Sequence, residues 1–269
     1  MRDFSLYSNN NLLKSPFDSR DFRLRDAVPM AGPGAVPDEF ESPITPFVYD
    51  QGSTSMCCAC AYSMIRFMQE SDVVSGGSGL DEPLSPAFAY GNRIPGEDFE
   101  GMYMRSCCKK GLDGSVLYSD FPGFYSYPEA KRRFYGDRAS LLKKARPFAI
   151  SSYYQCDSRA AVQAAIISSK AVLGGVPIYQ SMYSPKAGII KYDPKKDVKS
   201  FGGHAVMFVG WKIINNVFHW RIQNSWGADW GERGRAWIPE SYPWIEDPWA
   251  VIDGNVDLVF EDYKKKYCS

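Results

Sequence analysis

The sequence predicts an α+β chain with helices in its first half and strands in its second. Three observations carry this. The run Cys57–Glu70 is dense in apolar residues and free of Gly and Pro, which suits a buried helix better than a strand. The last hundred or so residues change character, with β-branched and aromatic runs at 176–179, 205–211, Val217–Gln223 and Arg235–Pro239. Helices and strands are segregated instead of alternating, which favours two lobes over a doubly wound parallel sheet.

Residues 1–46 are rich in Ser, Asn, Pro and Gly, and read as an extended arm that straps the surface or serves as a short propeptide. Its scattered anchors are Phe4, Leu6, Tyr7, Leu12, Leu13, Phe17, Phe22 and Leu24. A helical lobe is expected over 47–145. Beyond Cys57–Glu70 it holds a flexible Ser/Gly loop at 71–79 and short helices at 84–90 and 102–110. A β-rich lobe is expected over 146–250. It opens with a helix at 157–170, capped by Asp157 or Ser158. Asn215-Asn216 lies between two strand runs, and Asn tolerates positive φ, so a tight turn is expected there. Residues 251–269 form a C-terminal tail whose Lys264-Lys265-Lys266 run reads as a solvated face.

Composition narrows the function. The 269 residues hold 31 Lys+Arg against 31 Asp+Glu, a balance that argues against nucleic-acid or membrane-surface binding. Seven cysteines, four of them in the adjacent pairs Cys57-Cys58 and Cys107-Cys108, suggest free thiols and a reducing setting, such as a cytoplasm or virion interior. The N-terminus carries no apolar run of signal-peptide length, and the apolar stretch 161–178 is broken by Gln163, Lys170 and Pro177.

The chemistry gathers in three places. Cys57 follows Tyr49-Asp50-Gln51-Gly52 and opens a helix, where the positive dipole end and unpaired N–H groups favour thiolate. His204 follows Gly202-Gly203 and starts a strand; a nearby imidazole takes a thiol proton. A strand ending at Gln223 leads into Asn224-Ser225-Trp226-Gly227. Asn224 can orient the imidazole without adding charge. Gln51 and the Cys57 N–H can hold an oxyanion.

In these residues the chain resembles the papain-like cysteine peptidases. The resemblance rests on Gln51-Gly52, Cys57, Gly203-His204-Ala205-Val206, Asn224-Ser225-Trp226-Gly227 and Trp230-Gly231-Glu232, in that order. It covers roughly 45–245 and looks closest to divergent bacterial or large-DNA-virus members. It implies a two-lobed fold with the active-site cleft between a helical lobe and a β-barrel-like lobe. The implied activity is a cysteine endopeptidase acting through a thiolate–imidazolium pair and an acyl-enzyme, with Cys57, His204, Asn224 and Gln51 catalytic. Gly101, Met102, Gly202, Gly203 and Trp226 are implied in substrate binding, with an apolar preference at the second residue before the scissile bond. No metal or other cofactor is implied. The partner is a peptide or protein substrate, with no nucleic acid and no membrane, and the chain is expected to be a monomer.

The pattern has departures. Ser55-Met56 precedes Cys57 where the family has Gly-Ser, Cys58 follows it, and only 56 residues stand before it. A long helical propeptide is therefore not expected, and a zymogen held by the short arm stays an alternative. Cys57-Cys58-Ala59-Cys60 also contains a C-x-x-C, but no second pair at zinc spacing and no βαβ context accompany it. Cys58 and Cys60 read as small buried apolar residues. Two rival functions stay open: an inactive papain-like binding protein, and an amidase or isopeptidase on the same scaffold.

Overall fold

In the computed structural model, the described residues are 12–43, 45, 47–71 and 79–268. The anchors Phe4, Leu6 and Tyr7, and most of the Ser/Gly loop, lie outside them.

Nine helices are described: α1 (Leu24–Ala27), α2 (Cys57–Glu70), α3 (Pro86–Gly91), α4 (Met104–Gly111), α5 (Tyr127–Gly136), α6 (Arg138–Ala145), α7 (Arg159–Ser169), α8 (Val256–Val259) and α9 (Glu261–Tyr267). Every residue of α2 is buried, as its all-round apolar sequence requires. Its far end is pinned to the β-rich half. Gln69 Nε2 donates to the Ser169 and Val251 carbonyls at 3.0 and 2.8 Å, and buried Arg66 binds Glu70 and Asp253. The helix expected at 157–170 is capped by Ser158, whose Oγ accepts from Ala161 N–H at 3.2 Å. It ends at Lys170, which holds φ 75°.

The strands are β1 (Leu12–Leu13), β2 (Phe40–Glu41), β3 (Met102–Tyr103), β4 (Ser152–Gln155), β5 (Val172–Pro177), β6 (Gly203–Ile214), β7 (Val217–Gln223), β8 (Arg235–Pro239) and β9 (Glu246–Ile252). Six of them form the path β4-β9-β5-β6-β7-β8, with β2 added to β6. All pairings in this sheet are antiparallel. Asn215 and Asn216 take φ 50° and 62° between β6 and β7, the tight turn the sequence predicts. The architecture is the expected α+β class.

Some elements differ from expectation. β5 begins at Val172, ahead of the expected 176–179, and stops at Pro177, which has no N–H to continue a ladder. Met102 and Tyr103 form β3 before the helix starts at Met104. Two apolar clusters fill the molecule. One lies around α2, α3 and α4, and the other between α7 and the sheet.

The arm wraps the β-rich half. Leu24 and Val28 are buried there, Ala31 N–H donates to Tyr263 Oη at 2.9 Å, and β2 pairs with β6. Glu41 binds Arg235 and Arg221, and the Arg235 guanidinium also donates to the Ser42 and Pro43 carbonyls.

Candidate active site

Cys57 opens α2, and Met56 before it provides no side-chain cap. The first-turn N–H groups therefore keep their electrostatic pull on the thiol. Met56 is fully buried, and its sulfur accepts from the Tyr125 N–H at 3.1 Å. The residue that departs from the family pattern thus packs into the helical half.

His204 lies at the start of β6. Its Nε2 is 2.7 Å from Asn224 Oδ1, while its Nδ1 is buried without a hydrogen-bond partner among the described residues. The Ala205 backbone N–H donates to the Cys57 sulfur, which places the thiol beside the strand that carries His204. Asn224 is fixed in turn, because its Oδ1 also accepts from Ser225 N–H at 2.8 Å. Trp226 packs over the imidazole with ring centroids 4.9 Å apart, and Tyr183 stacks on Trp226 at 5.6 Å.

Gln51 is held by both halves of the chain. Its backbone N–H donates to the Ser225 carbonyl at 2.9 Å, Ser225 Oγ donates to its Oε1 at 2.6 Å, and its Nε2 donates to the Thr54 carbonyl at 2.7 Å. The loop reaches this position through a tight turn in which Asp50 Oδ1 accepts from Gly52 N–H, with Gly52 at φ 58°. Ser225 is a positioning residue that sequence reasoning missed. Its only signal was its place in the Asn-Ser-Trp run.

The arm crosses this site. β1 pairs in parallel with β3, Leu12 against Met102 and Leu13 against Tyr103. Leu12 belongs to the same apolar cluster as Cys57, Met102 and Met104. A β-carbon on Gly175 would stand 2.6 Å from Leu12 Cδ2, and one on Gly203 would overlap the Leu12 carbonyl oxygen. Two glycines thus clear the space the arm occupies. Of the other residues expected to bind substrate, Gly101 holds φ 88° just before β3, and Gly202 precedes β6 at φ 126°. Trp226 is fully buried above His204.

Burial sets the protonation of the covered pair. It pushes the Cys57 thiol up to about 12, against the opposing Ala205 and helix N–H contacts. It pulls His204 down to about 4, against the bond to Asn224. In this covered state both groups are neutral near pH 7, so desolvation outweighs the thiolate preference expected from the helix dipole.

A stability prediction follows for His204. Its folded pKa is depressed, so the unfolded chain binds the proton between about 6.5 and 4. Stability is full above pH 6.5 and is lost as pH falls to about 4, by roughly 3 kcal/mol. Denaturant midpoints compared across this range should fall more steeply for the natural chain than for His204→Gln. Parallel curves would refute the assignment.

An α+β fold carrying a helix-start cysteine and a strand histidine tied to an asparagine defines the papain-like class of structure. The chain belongs to the papain family of cysteine proteases: the model of that family matches residues 108–242, half of the chain. Over 96 residues it is 33% identical to a gut-specific cysteine proteinase of Caenorhabditis elegans, covering 36% of this chain and 28% of that protein. Over 128 residues it is 29% identical to cathepsin B-like cysteine proteinase 2 of Haemonchus contortus, covering 48% and 36%. The matched segments therefore span about a third of these relatives. Among solved structures, xylellain, a cysteine protease from Xylella fastidiosa, superposes with a TM-score of 0.75 at 23% identity, over 95% of this chain and 99% of that one. Digestive procathepsin L 3 of Tenebrio molitor larval midgut gives 0.63 at 17%, over 93% and 78%. These structural likenesses concern the fold.

Proposed function

We propose that the chain is a cysteine endopeptidase with Cys57 as nucleophile, His204 as general base and acid, Asn224 as its orienting partner and Gln51 as an oxyanion donor. The observation that carries this is the state of the imidazole. One ring nitrogen is committed to Asn224, the other has no hydrogen-bond partner among the described residues, and the thiol sits against the next residue of the same strand. His204 takes the thiol proton, and the sulfur attacks a carbonyl carbon. Gln51 Nε2 and the Cys57 N–H stabilise the oxyanion. The imidazolium then gives its proton to the leaving amine, and water hydrolyses the thioester. When the arm leaves, water reaches the pair and the desolvation opposing the ion pair falls.

The pocket around Leu12 supports an apolar preference at the second residue before the scissile bond. Met102, Met104 and Ile245 wall it, and Gly175 and Gly203 leave it open. The substrate is a peptide or protein and the working unit a monomer. The balanced net charge supports a chain that engages neither nucleic acid nor membrane.

Labelling by a peptidyl epoxide tests the reading. One probe per chain on Cys57 is expected, together with turnover of denatured protein. Labelling without turnover of any peptide or amide would favour a binding protein. Gln51→Ala should lower kcat by about 10²–10³-fold with KM little changed. A rise in KM alone would remove Gln51 from the oxyanion site.

A further inference from the structure

Strand β3 is weakly held by its own ladder. It is two residues long, it belongs to the two-stranded pair β1-β3, and α4 starts at the next residue, Met104. A two-stranded ribbon is marginal by itself. The Cys58 thiol reaches the Tyr103 carbonyl at 3.9 Å, and a thiol is a weak donor. Yet β3 carries Met102, a wall of the apolar pocket, and its edge pairs with an extended segment, Leu12 against Met102. An extended peptide adds to such an edge through its main chain. The placement of Gly101 and Met102 therefore decides how well a peptide fits.

Gly101 is fixed from the helical half. Tyr90 is fully buried in α3, and its Oη accepts from the Gly101 N–H at 3.0 Å. The same hydroxyl donates to Glu100 Oε2 at 2.9 Å, and Glu100 Oε1 accepts from the Tyr127 N–H at 2.9 Å, at the start of α5. Arg93 braces the approach. Its Nε donates to the Tyr90 carbonyl at 3.0 Å and its Nη1 to the Phe99 carbonyl at 2.7 Å. Its guanidinium lies 4.1 and 3.7 Å from the Tyr90 and Tyr127 ring centroids. Gly101 then enters β3 at φ 88°, which glycine adopts without strain. Burial pushes the Tyr90 hydroxyl well above its ordinary range, so it stays a donor to Glu100 near neutral pH.

We propose that Tyr90 is a positioning residue for substrate: its hydroxyl, bridging the Gly101 N–H and Glu100, fixes the Gly101–Met102 edge on which the residues before the scissile bond lie. The inference rests on the peptidase reading above and adds what aligns its binding edge. A buried N–H without an acceptor is costly. When the hydroxyl is lost, residues 100–102 shift to satisfy the Gly101 N–H, and the edge moves with them. The loss falls on the binding of a long substrate and leaves the proton transfers at Cys57 and His204 alone.

The experiment uses the full chain and compares a peptide that has several residues before the scissile bond with an ester that has a single one. Tyr90→Phe should raise KM for the long peptide about tenfold, with kcat within about twofold, and leave kcat/KM for the ester unchanged. The ring remains to pack against Tyr127 and Arg93, and thermal melts check the fold. Glu100→Ala, at the surface, should raise the same KM about threefold, because Tyr90 still accepts from Gly101. Adding Glu100→Ala to Tyr90→Phe should change little further. Tyr127→Phe removes a hydroxyl of the same cluster that binds Asp98 instead, and should match the natural chain. An unchanged KM in Tyr90→Phe overturns the proposal. So does an equal loss on both substrates, or a Tyr127→Phe chain as impaired as Tyr90→Phe, since either marks a general loosening. Should Tyr90→Phe not fold, Glu100→Ala decides, and an unchanged KM there is equally fatal. A natural chain that turns over neither substrate and takes no epoxide label on Cys57 would instead sink the peptidase reading, and the role of Tyr90 with it.

Discussion

Cys57→Ala is expected to lose turnover by on the order of 10⁵–10⁶-fold, because the covalent route disappears and only binding and the oxyanion donors remain. The fold should survive. Alanine fits the first turn of α2, and the buried site loses a single sulfur, at a cost of about 1 kcal/mol. Cys58→Ala and Cys60→Ala should keep most activity. Cys58 sits against the Tyr103 carbonyl and the Cys107 thiol, and Cys60 is fully buried. An inactive Cys58→Ala beside an active Cys57→Ala would move the nucleophile by one residue.

His204→Ala should be as damaging as loss of Cys57, since the proton then has no acceptor in the attack and no donor in amine departure. Asn224→Ala should cost about 10²-fold, the scale of a misplaced catalytic group. The geometry explains the difference. Asn224 touches the far nitrogen of the ring, and Trp226 still restrains the imidazole from above. Steady-state kinetics on one peptide would check both. Equal losses for the two variants would mean that Asn224 does more than orient the ring.

The proposed catalytic set was legible because each member stands at a place where local chemistry is visible in the chain. Cys57 opens a helix, His204 follows two glycines into a strand, and Asn224 ends another strand before Trp226. The strongly apolar elements were legible for the same reason. Helix α5 was not: four of the ten residues of Tyr127–Gly136 are charged, and only Tyr127, Ala130 and Phe134 are buried. β9 was missed because Glu246 and Asp247 break the apolar run, although Glu246 turns inward to meet Ser15. Leu12 was visible as an anchor, but its pocket is assembled from Met104, Gly175, Gly203 and Ile245. Residues so far apart in the chain leave no local pattern to read. The neutral state of Cys57 and His204 was equally hidden, since their burial is a tertiary effect.

The hydrogen-bond thread from Gln51 through Ser225 and Asn224 to His204 bears on how such a chain can be recombined. Its members are spread over more than 150 residues, and every joint is buried. A chimaera that takes 49–57 from one parent and 223–227 from another inherits two half-networks cut to different lengths. The two segments are therefore one heritable unit despite their distance in the gene. Crossovers that keep them together leave the module whole, and those that part them divide it at Ser225.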